Sequence, residues 1–197
     1  PIIVPKAVQW AQEKAGFEFA HQQKEAITQA LEKKLTLLTG GPGTGKTTIL
    51  HALVEILNAK KVQICLTAPT GRAAQRMSEA TKLQAKTIHR LLEYNPAEEG
   101  FTYGEDKPLK TQFVIVDEAS MLDNKLASCL IRAIPAGAHL LLVGDVNQLP
   151  SVGAGNLLED LLRSGLFHIT RLEKIFRQSK RSDIITTAHA VLQGNPH

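Results

Sequence analysis

Short apolar runs alternate with amphipathic segments along most of the 197-residue chain. Five apolar runs have the length and composition of buried strands, and they lie at 35–39, 62–67, 113–116, 139–143 and, more weakly, 168–172. Apolar residues at helical spacing predict helices between them, at 46–59, 71–83, 123–133 and 154–164. Strands that are apolar on both sides are typical of a parallel sheet covered by helices. The pattern therefore predicts an α/β fold, with a mainly parallel sheet and helices on both faces.

The two ends of the chain and one internal segment depart from this alternation. Helical spacing predicts two helices before the first strand, at 6–14 and 21–33, and a last helix from about 182 to 192. The segment 94–110 holds two prolines and two glycines, which predicts a small inserted hairpin. We therefore expect N-terminal helices in 1–34 and an ATPase domain in 35–197, interrupted by this hairpin.

Composition restricts the class of protein only loosely. The net charge of +4 and pI of about 9.1 are compatible with a nucleic-acid partner but do not require one. No apolar run approaches the roughly 20 residues of a membrane span. Cys65 and Cys129 lie in apolar runs without metal-site spacing, and no signal sequence is evident, so we expect a cytoplasmic protein. Because the first residue is Pro1, we expect a piece of a longer protein.

The segment between the first strand and the next helix carries a complete phosphate-binding pattern. It has Gly40, four free positions, and then Gly45, Lys46 and Thr47. Glycines allow backbone N–H groups to face phosphate oxygens, the lysine contacts the β- and γ-phosphates, and the threonine hydroxyl binds Mg²⁺. The ATP contacts predicted from this segment are Gly41, Pro42, Gly43, Thr44, Gly45, Lys46, Thr47 and Thr48.

Acidic and amide side chains follow two later strands. Asp117 and Glu118 end the run at 113–116, so Asp117 is a candidate Mg²⁺ ligand and Glu118 a candidate general base for the attacking water. Gln148 follows the run at 139–143 and is a candidate sensor of the γ-phosphate, although an ordinary turn would explain it equally well. A cluster of this kind predicts ATP hydrolysis.

Together these segments resemble a superfamily 1 helicase, over nearly the whole chain. Gln23 and the residues after it resemble the Q-motif, in which the glutamine reads the adenine edge. The segments 68–74 and 87–92 resemble motif Ia and the element that follows it, and 117–120 and 144–150 resemble motifs II and III. The sequence around Arg177 resembles motif IV, whose arginine reaches the γ-phosphate. The residues within these motifs are most similar to those of the RecD-like group, the alpha subunit of exodeoxyribonuclease V and its stand-alone relatives.

This resemblance implies a RecA-like P-loop domain that uses ATP and Mg²⁺ to move 5′ to 3′ on single-stranded DNA. It implies catalytic roles for Lys46, Glu118, Gln148 and Arg177, and DNA contacts at Pro69, Thr70, Arg72, His89 and Arg90. The segment 94–110 stands where the family carries a strand-separating pin.

The resemblance also shows what the chain does not contain. The second RecA-like domain, with motifs V and VI, has no counterpart in these residues. Because ATP in this family lies between two such domains, we expect the chain alone to be weakly active or inactive. Its parent could be a stand-alone helicase or a subunit of a nuclease complex.

Other interpretations remain open from the residues alone. A GTPase would need an Asn-Lys-x-Asp guanine reader, and residues 123–126, Asp-Asn-Lys-Leu, lack its aspartate. A nucleotide kinase would not need the elements that follow Asp117 and Glu118. A non-unwinding nucleotide-binding module would keep the fold without hydrolysis. At single residues, Thr70 could be a helix cap and His89 a packed structural histidine.

Overall fold

A computed structural model of the chain describes residues 1–145 and 157–173. Gln148, Arg177 and the predicted last helix at 182–192 lie outside the described residues, as does the predicted start of the helix at 154–164. The described α-helices are α1 (Val4–Ala15), α2 (His21–Glu32), α3 (Lys46–Ala59), α4 (Gly71–Thr81), α5 (Ile88–Leu91), α6 (Asn124–Ala133) and α7 (Leu157–Ser164).

Six strands form one sheet and two form a separate hairpin. The strands are β1 (Leu35–Thr39), β2 (Ile64–Ala68), β3 (Ala85–Thr87), β4 (Tyr94–Asn95), β5 (Gly100–Phe101), β6 (Phe113–Val116), β7 (His139–Gly144) and β8 (His168–Arg171). The order in the large sheet is β3-β2-β6-β7-β1-β8, and every described pairing in it is parallel. The predicted α/β class and parallel sheet are confirmed.

Each strand of the sheet sends alternate side chains to two different cores. Leu38 and Ile115 pack with α1, α2 and α3 on one face, whereas Leu37, Val114 and Val116 pack with α5 and α6 on the other. Successive side chains of a strand point to opposite faces, so a run that is apolar at every position is buried on both sides. This explains why the strands read as continuous apolar runs in the sequence.

The N-terminal helices share the first of these cores with the sheet. Val8 of α1 and Ile27 of α2 lie in the same apolar cluster as Leu53 of α3. Phe19, in the connection between α1 and α2, is 3% exposed and belongs to this cluster too. The start of α2 is thereby held against the sheet edge from which α3 begins.

The structure differs from the sequence prediction at β3, the outermost strand of the sheet, and at the start of its neighbour β2. The strand β3 was not predicted, because Ala85, Lys86 and Thr87 carry no apolar alternation. Among the described strands, β3 pairs only with β2, and the Thr67 hydroxyl of β2 donates to the Lys86 carbonyl at 2.8 Å. The strand β2 also begins at Ile64 and not at the predicted residue 62, because the Val62 N–H donates to the Leu57 carbonyl in a turn.

The inserted hairpin is anchored by core residues on both sides. Its strands pair antiparallel, Tyr94 with Phe101 and Asn95 with Gly100. Leu92, just before it, is fully buried, and Leu109, after it, is 6% exposed. The hairpin therefore projects from two fixed points in the core that α5 and α6 form with the sheet.

We expect Ile115→Ala to lower the free energy of unfolding by about 2–5 kcal/mol, because it leaves a cavity in a central strand. Ile115 is fully buried between β2 and β7. Urea unfolding followed by circular dichroism measures the change. Leu166→Ala is the control, since Leu166 is 72% exposed, and we expect a change within about 0.5 kcal/mol. Equal effects of the two substitutions would contradict the described core.

Candidate nucleotide site and nucleic-acid edge

The phosphate-binding loop begins at the carboxyl end of β1. Thr39, the last residue of β1, is in register with Gly144 at the end of β7, and the Gly40 N–H donates to the Gly144 carbonyl at 3.3 Å. The loop then runs over the edge of the sheet to α3, which begins at Lys46 as predicted. This edge is where ligands bind in open parallel sheets.

Local geometry explains the glycines of the loop. A Cβ placed on Gly40 would lie 2.8 Å from the Thr44 hydroxyl oxygen and 3.0 Å from the Leu172 Cβ, so no side chain fits there. Gly43 and Gly45 have φ of 78° and 84°, a left-handed backbone that glycine adopts without strain. The buried Thr44 hydroxyl donates to the Gly41 carbonyl at 2.8 Å and closes the loop on itself.

The start of α3 supplies donors for an anion. The first N–H groups of a helix have no partner within it and carry the positive end of its dipole. Here those groups belong to Lys46, Thr47 and Thr48, while the Ile49 N–H already donates to the Gly45 carbonyl at 3.3 Å. Pro42 and Gly43 are exposed at the mouth of the loop. The tight cradle and the free donors fit a chain of phosphate groups.

The two acids lie two strands away from the loop, across β7. Asp117 follows β6, and its N–H donates to the Thr67 carbonyl of β2 at 3.0 Å. Glu118 has a φ of 52°, a left-handed conformation that is uncommon for a residue with a long side chain. The Glu118 N–H donates to the Asp117 carboxylate oxygen Oδ1 at 2.8 Å, which fixes this turn. Strained backbone of this kind is typical of functional sites.

Charge couples Asp117 to the phosphate-binding loop. Burial raises the pKa of the Asp117 carboxyl, and the neighbouring Glu118 charge raises it further. The hydrogen bond from the Glu118 N–H and the positive charges of Lys46 and Arg76 act in the opposite direction. The positive charge of Lys46 thus acts on Asp117, and so does that of Arg76 in α4, a residue that the sequence pattern did not single out.

The donors at this edge suit Mg²⁺. A half-buried carboxylate at Asp117 and an exposed hydroxyl at Thr47 are oxygen ligands of the kind Mg²⁺ takes. Within residues 1–145 and 157–173, no group of three or more His, Cys, Asp or Glu side chains could form a metal cage.

Asp145 is a site residue that sequence reasoning did not single out. It directly follows β7 and is 7% exposed. A Cβ on Gly41 would lie 3.4 Å from its carboxylate oxygen Oδ2, so the two residues are neighbours at the loop. An acid close after an apolar run was the available signal, and the same kind of signal identified Asp117.

Gln23 lies beside the loop, but its side chain is enclosed. It is 2% exposed, in the first turn of α2. Its Oε1 accepts the Ala20 N–H at 2.9 Å, and its Nε2 donates to the Gly45 carbonyl at 3.5 Å. The amide is thus directed to backbone groups and not to an open base pocket.

The candidate DNA residues also follow the carboxyl ends of strands, but of β2 and β3, at the far end of the sheet from β1. Pro69, Thr70 and Arg72 follow β2, which is three strands from β1, or about 14 Å at ordinary strand spacing. The Thr70 hydroxyl oxygen accepts the Ala73 N–H at 3.2 Å, so Thr70 does cap α4. Arg72 is exposed in the first turn of that helix, where backbone N–H groups are also free.

His89 and Arg90 follow β3, next to these residues. Thr87 caps the short helix α5 by accepting the Arg90 N–H at 3.2 Å, and both Arg90 and His89 are exposed. The His89 ring lies 5.8 Å from the Tyr94 ring and 5.7 Å from the Phe101 ring, between centroids. His89 therefore packs on the hairpin while keeping a surface towards solvent.

The loop, the two acids and α3 are features of a nucleotide-binding domain, and the comparison with known proteins agrees with this interpretation. Residues 23–154 match the family model described as an AAA domain. The chain belongs to the AAA domain family. This stretch contains Gln23, the loop, both acids and the candidate DNA segments, whereas Arg177 lies outside it.

Relatives within the family are RecD-like helicases. The chain is 39% identical to the ATP-dependent RecD2 DNA helicase of Deinococcus radiodurans over 186 residues, which are 94% of the chain and 26% of that protein. It is 38% identical to the RecBCD enzyme subunit RecD of Mycobacterium tuberculosis over 172 residues, covering 75% of the chain and 29% of that subunit. The resemblance to RecD-like helicases is confirmed, and the chain spans just over a quarter of the length of these relatives.

Solved structures agree at the level of the fold. The Pif1 helicase of Candida albicans matches with a TM-score of 0.60 and 23% identity, over 87% of this chain and 43% of that one. A Pif1 helicase from Bacteroides matches with a TM-score of 0.57 and 24% identity, over 83% and 43%. Among the described residues, no helix is long and apolar enough to cross a membrane.

We expect Asp117→Asn to leave the free energy of unfolding unchanged or to raise it at neutral pH, while abolishing Mg²⁺-dependent nucleotide binding. Burial disfavours the charged carboxylate, and asparagine keeps an oxygen for the Glu118 N–H. The difference between the two proteins should shrink as the pH falls, because a protonated Asp117 has no charge to desolvate. Thermal unfolding from acid to neutral pH, with and without Mg²⁺ and ATP, measures both effects.

Asp123→Asn is the matched control. Asp123 is exposed and caps α6 by accepting the Leu126 N–H at 2.7 Å, a role that asparagine fills equally well. We expect it to change neither stability nor nucleotide binding. A loss of stability in Asp117→Asn that Asp123→Asn does not share would show that the Asp117 charge stabilises the fold, against this prediction.

Proposed function

We propose that the chain is the ATP-binding and hydrolysing motor domain of a DNA helicase, which moves 5′ to 3′ on single-stranded DNA and separates duplex DNA in repair or recombination. One observation carries the proposal. The phosphate-binding loop, the acids and the candidate nucleic-acid segments all lie at the carboxyl edge of one parallel sheet. A change at the ATP site can therefore reach the DNA segments through adjacent strands.

The ATP reaction assigns a role to each group at the site. Lys46 and the first N–H groups of α3 hold the β- and γ-phosphates, and Thr47 and Asp117 would hold Mg²⁺, which neutralises charge on the phosphates. Glu118 accepts a proton from the attacking water while the water oxygen forms a bond to the γ-phosphorus. The bond to the β–γ bridging oxygen breaks, which gives ADP and phosphate. Gln148 and Arg177, proposed to contact the γ-phosphate, lie outside the described residues.

DNA contact is proposed at the ends of β2 and β3. Arg72 and Arg90 are exposed cations, and the free N–H groups at the start of α4 can donate to a phosphate oxygen of the strand. Pro69, Thr70 and His89 complete the proposed surface. The relatives support this choice of partner, since one of them is named as a DNA helicase.

The hairpin is proposed to act as the strand-separating pin, and its negative charge restricts which parts of the DNA it can contact. Residues 93–107 carry five acids against one lysine, namely Glu93, Glu98, Glu99, Glu105, Asp106 and Lys107. Such a segment repels phosphates, so its productive contacts with DNA would have to be made with base faces. Tyr94, which is 44% exposed, packs on Phe101 at 5.2 Å between ring centroids and offers an aromatic face for this purpose.

The proposal includes partners beyond this chain. A second RecA-like domain of the same parent protein would close the ATP site, and coupling ATP hydrolysis to movement requires such closure. Subunits of a nuclease complex are further candidate partners, because a relative is named as a RecBCD subunit. A cytoplasmic location is part of the proposal, and it agrees with the free thiols of Cys65 and Cys129.

We expect single-stranded DNA to stimulate ATP hydrolysis strongly in a polypeptide that includes both motor domains, and only weakly in this chain. Lys46→Ala and Glu118→Gln should each lower the turnover rate by at least about a hundredfold, because they remove phosphate charge stabilisation and the general base. A coupled assay for ADP release measures this. Lys34→Ala is the control for loss of a lysine side chain. Lys34 lies before β1, at the amino ends of the strands, where it donates to the Gly137 carbonyl.

Two outcomes would refute the proposed function. One is a preference for GTP over ATP in the complete polypeptide. The other is a rate of ATP hydrolysis that single-stranded DNA leaves unchanged.

We expect Arg72→Ala to weaken binding of single-stranded DNA and to reduce the salt dependence of that binding by about one released counterion. The reason is that Arg72 would contact a phosphate and carry no sequence information. Fluorescence anisotropy over a range of salt concentrations measures the slope. Arg163→Ala is the matched control, because Arg163 is exposed in the last turn of α7, just before β8 begins at the opposite edge of the sheet. An unchanged slope in Arg72→Ala would exclude this contact.

A further inference from the structure

The segments that lead directly into the strands of the large sheet carry lysines and no acids. These segments lie at the amino ends of the strands, opposite the phosphate-binding loop, and they are 33–34, 60–63, 82–84, 110–112, 134–138 and 165–167. They contain no Asp or Glu. They contain six lysines, all exposed, which are Lys33, Lys34, Lys60, Lys61, Lys82 and Lys110. By contrast, Asp117, Glu118 and Asp145 follow the carboxyl ends, so the two ends of the strands differ in charge.

Five of these lysines have no acidic partner within residues 1–145 and 157–173. The ion pairs in that part of the chain involve Lys14, Lys24 and His51. The Lys34 ammonium group is engaged, since it donates to the Gly137 carbonyl. The remaining five form a surface that we call the basic edge, and they are Lys33, Lys60, Lys61, Lys82 and Lys110.

Two lysines of the basic edge occupy positions where glycine would be more stable. Lys82 caps the end of α4 with a φ of 60°, and Lys61 follows the end of α3 with a φ of 57°. This left-handed backbone is unfavourable for a residue with a Cβ, and glycine commonly takes the place after a helix. The helix dipole favours a cation near each helix end but does not require it at the left-handed position. The sequence therefore keeps two charges against the preference of the backbone.

The basic edge is extended along the sheet. In the order of the strands, its lysines precede β3, β2, β6 and β1, and β7 is the strand among these without one. Four strand intervals separate β3 from β1, or about 19 Å at ordinary strand spacing. That is the axial length of roughly six base pairs of DNA, in which each strand carries a phosphate about every 3.4 Å. A duplex that lies across the strands can thus meet a cation at nearly every strand.

The basic edge provides charge but no surface for stacking bases. Among the described residues, the most exposed Trp, Phe and Tyr side chains are Trp10, Phe17 and Tyr94, and none of them lies in these segments. Proteins that hold single strands combine cations with aromatic faces for the bases. A duplex keeps its bases stacked inside and presents its phosphates to a protein. Cations without aromatic faces therefore favour the duplex form.

We propose that the basic edge binds the phosphate backbone of duplex DNA. It is a second DNA surface, separate from the candidate contacts at Arg72 and Arg90. Those residues follow the carboxyl ends of β2 and β3, and the five residues of β2 span about 16 Å between the two ends. One sheet can thus hold a duplex and a single strand at opposite ends of its strands. The inference goes beyond the proposed function, because such binding requires neither ATP nor a second motor domain.

The test measures binding of a short blunt duplex to this chain by fluorescence anisotropy over a range of salt concentrations. The triple variant Lys61→Gly, Lys82→Gly and Lys110→Gln removes three charges of the basic edge. We expect weaker binding, and we expect the slope of log affinity against log salt concentration to fall by about three, one for each lost phosphate contact. The melting temperature should stay the same or rise, because glycine relieves the two left-handed positions.

Two variants at the carboxyl ends of the strands serve as controls. Lys125→Gln removes an exposed lysine from the first turn of α6, which follows β6. Arg72→Ala removes a candidate contact for single-stranded DNA. We expect both to leave the salt dependence of duplex binding unchanged, which separates the basic edge from the other DNA surface.

Two results would overturn the proposal. One is a salt dependence of duplex binding that the triple variant leaves unchanged. The other is displacement of the duplex by polyglutamate at an equal concentration of charge, which would assign the basic edge to an acidic protein. If the glycine variants fail to fold, Lys33→Gln with Lys110→Gln decides the matter, since it alters no left-handed position and should lower the slope by about two. DNA-stimulated hydrolysis by the complete polypeptide tests the proposed function separately.

Discussion

The parallel arrangement of the strands is the constraint on which the rest of the structure depends. Since all six strands of the large sheet run in one direction, each connection that leaves a carboxyl end emerges at the same edge. The residues after β1, β2, β3, β6 and β7 are far apart in the sequence and meet there. In turn, parallel strands require helical crossovers on both faces, which accounts for the two separate apolar cores.

The phosphate-binding loop shows how much of a binding site can be built from backbone. Its shape depends on the absence of a side chain at Gly40, on the left-handed residues Gly43 and Gly45, and on one buried hydroxyl at Thr44. Among the described residues, charge enters through Lys46, through the two acids across β7 and through Asp145 beside Gly41. A loop of this design presents backbone donors of the kind that a chain of phosphates requires.

The sequence allowed the elements next to the site to be predicted better than those at the periphery. The bounds of β1, α3 and β6 were predicted to the residue, because apolar runs and the glycine-rich loop mark them sharply. The edge strand β3 was missed because its three residues are held by the backbone of β2 and not by their own side chains. Local pattern carries no information of that kind.

The same distinction applies to the candidate site. Lys46 and Asp117 were expected together because each has a signal of its own, a loop pattern and a strand that ends in acids. The enclosure of Gln23 and the approach of Asp145 to Gly41 depend on how α2 and β7 pack, which single-residue patterns do not encode. The assignment of Gln23 came from resemblance, and its surroundings could be learned only from the structure.

The way the hairpin is attached has a consequence for the evolution of this domain. Its chain leaves the core at Leu92 and returns at Leu109, both buried, and Phe101 and Tyr103 pack against the same core between them. The exposed turn at 96–99 can therefore lengthen, shorten or change sequence while these contacts stay in place. Loop closure makes such changes inexpensive in stability, since doubling a loop adds only about 0.6 kcal/mol. Natural selection can thus alter the tip of this protrusion without altering the sheet and helices beneath it.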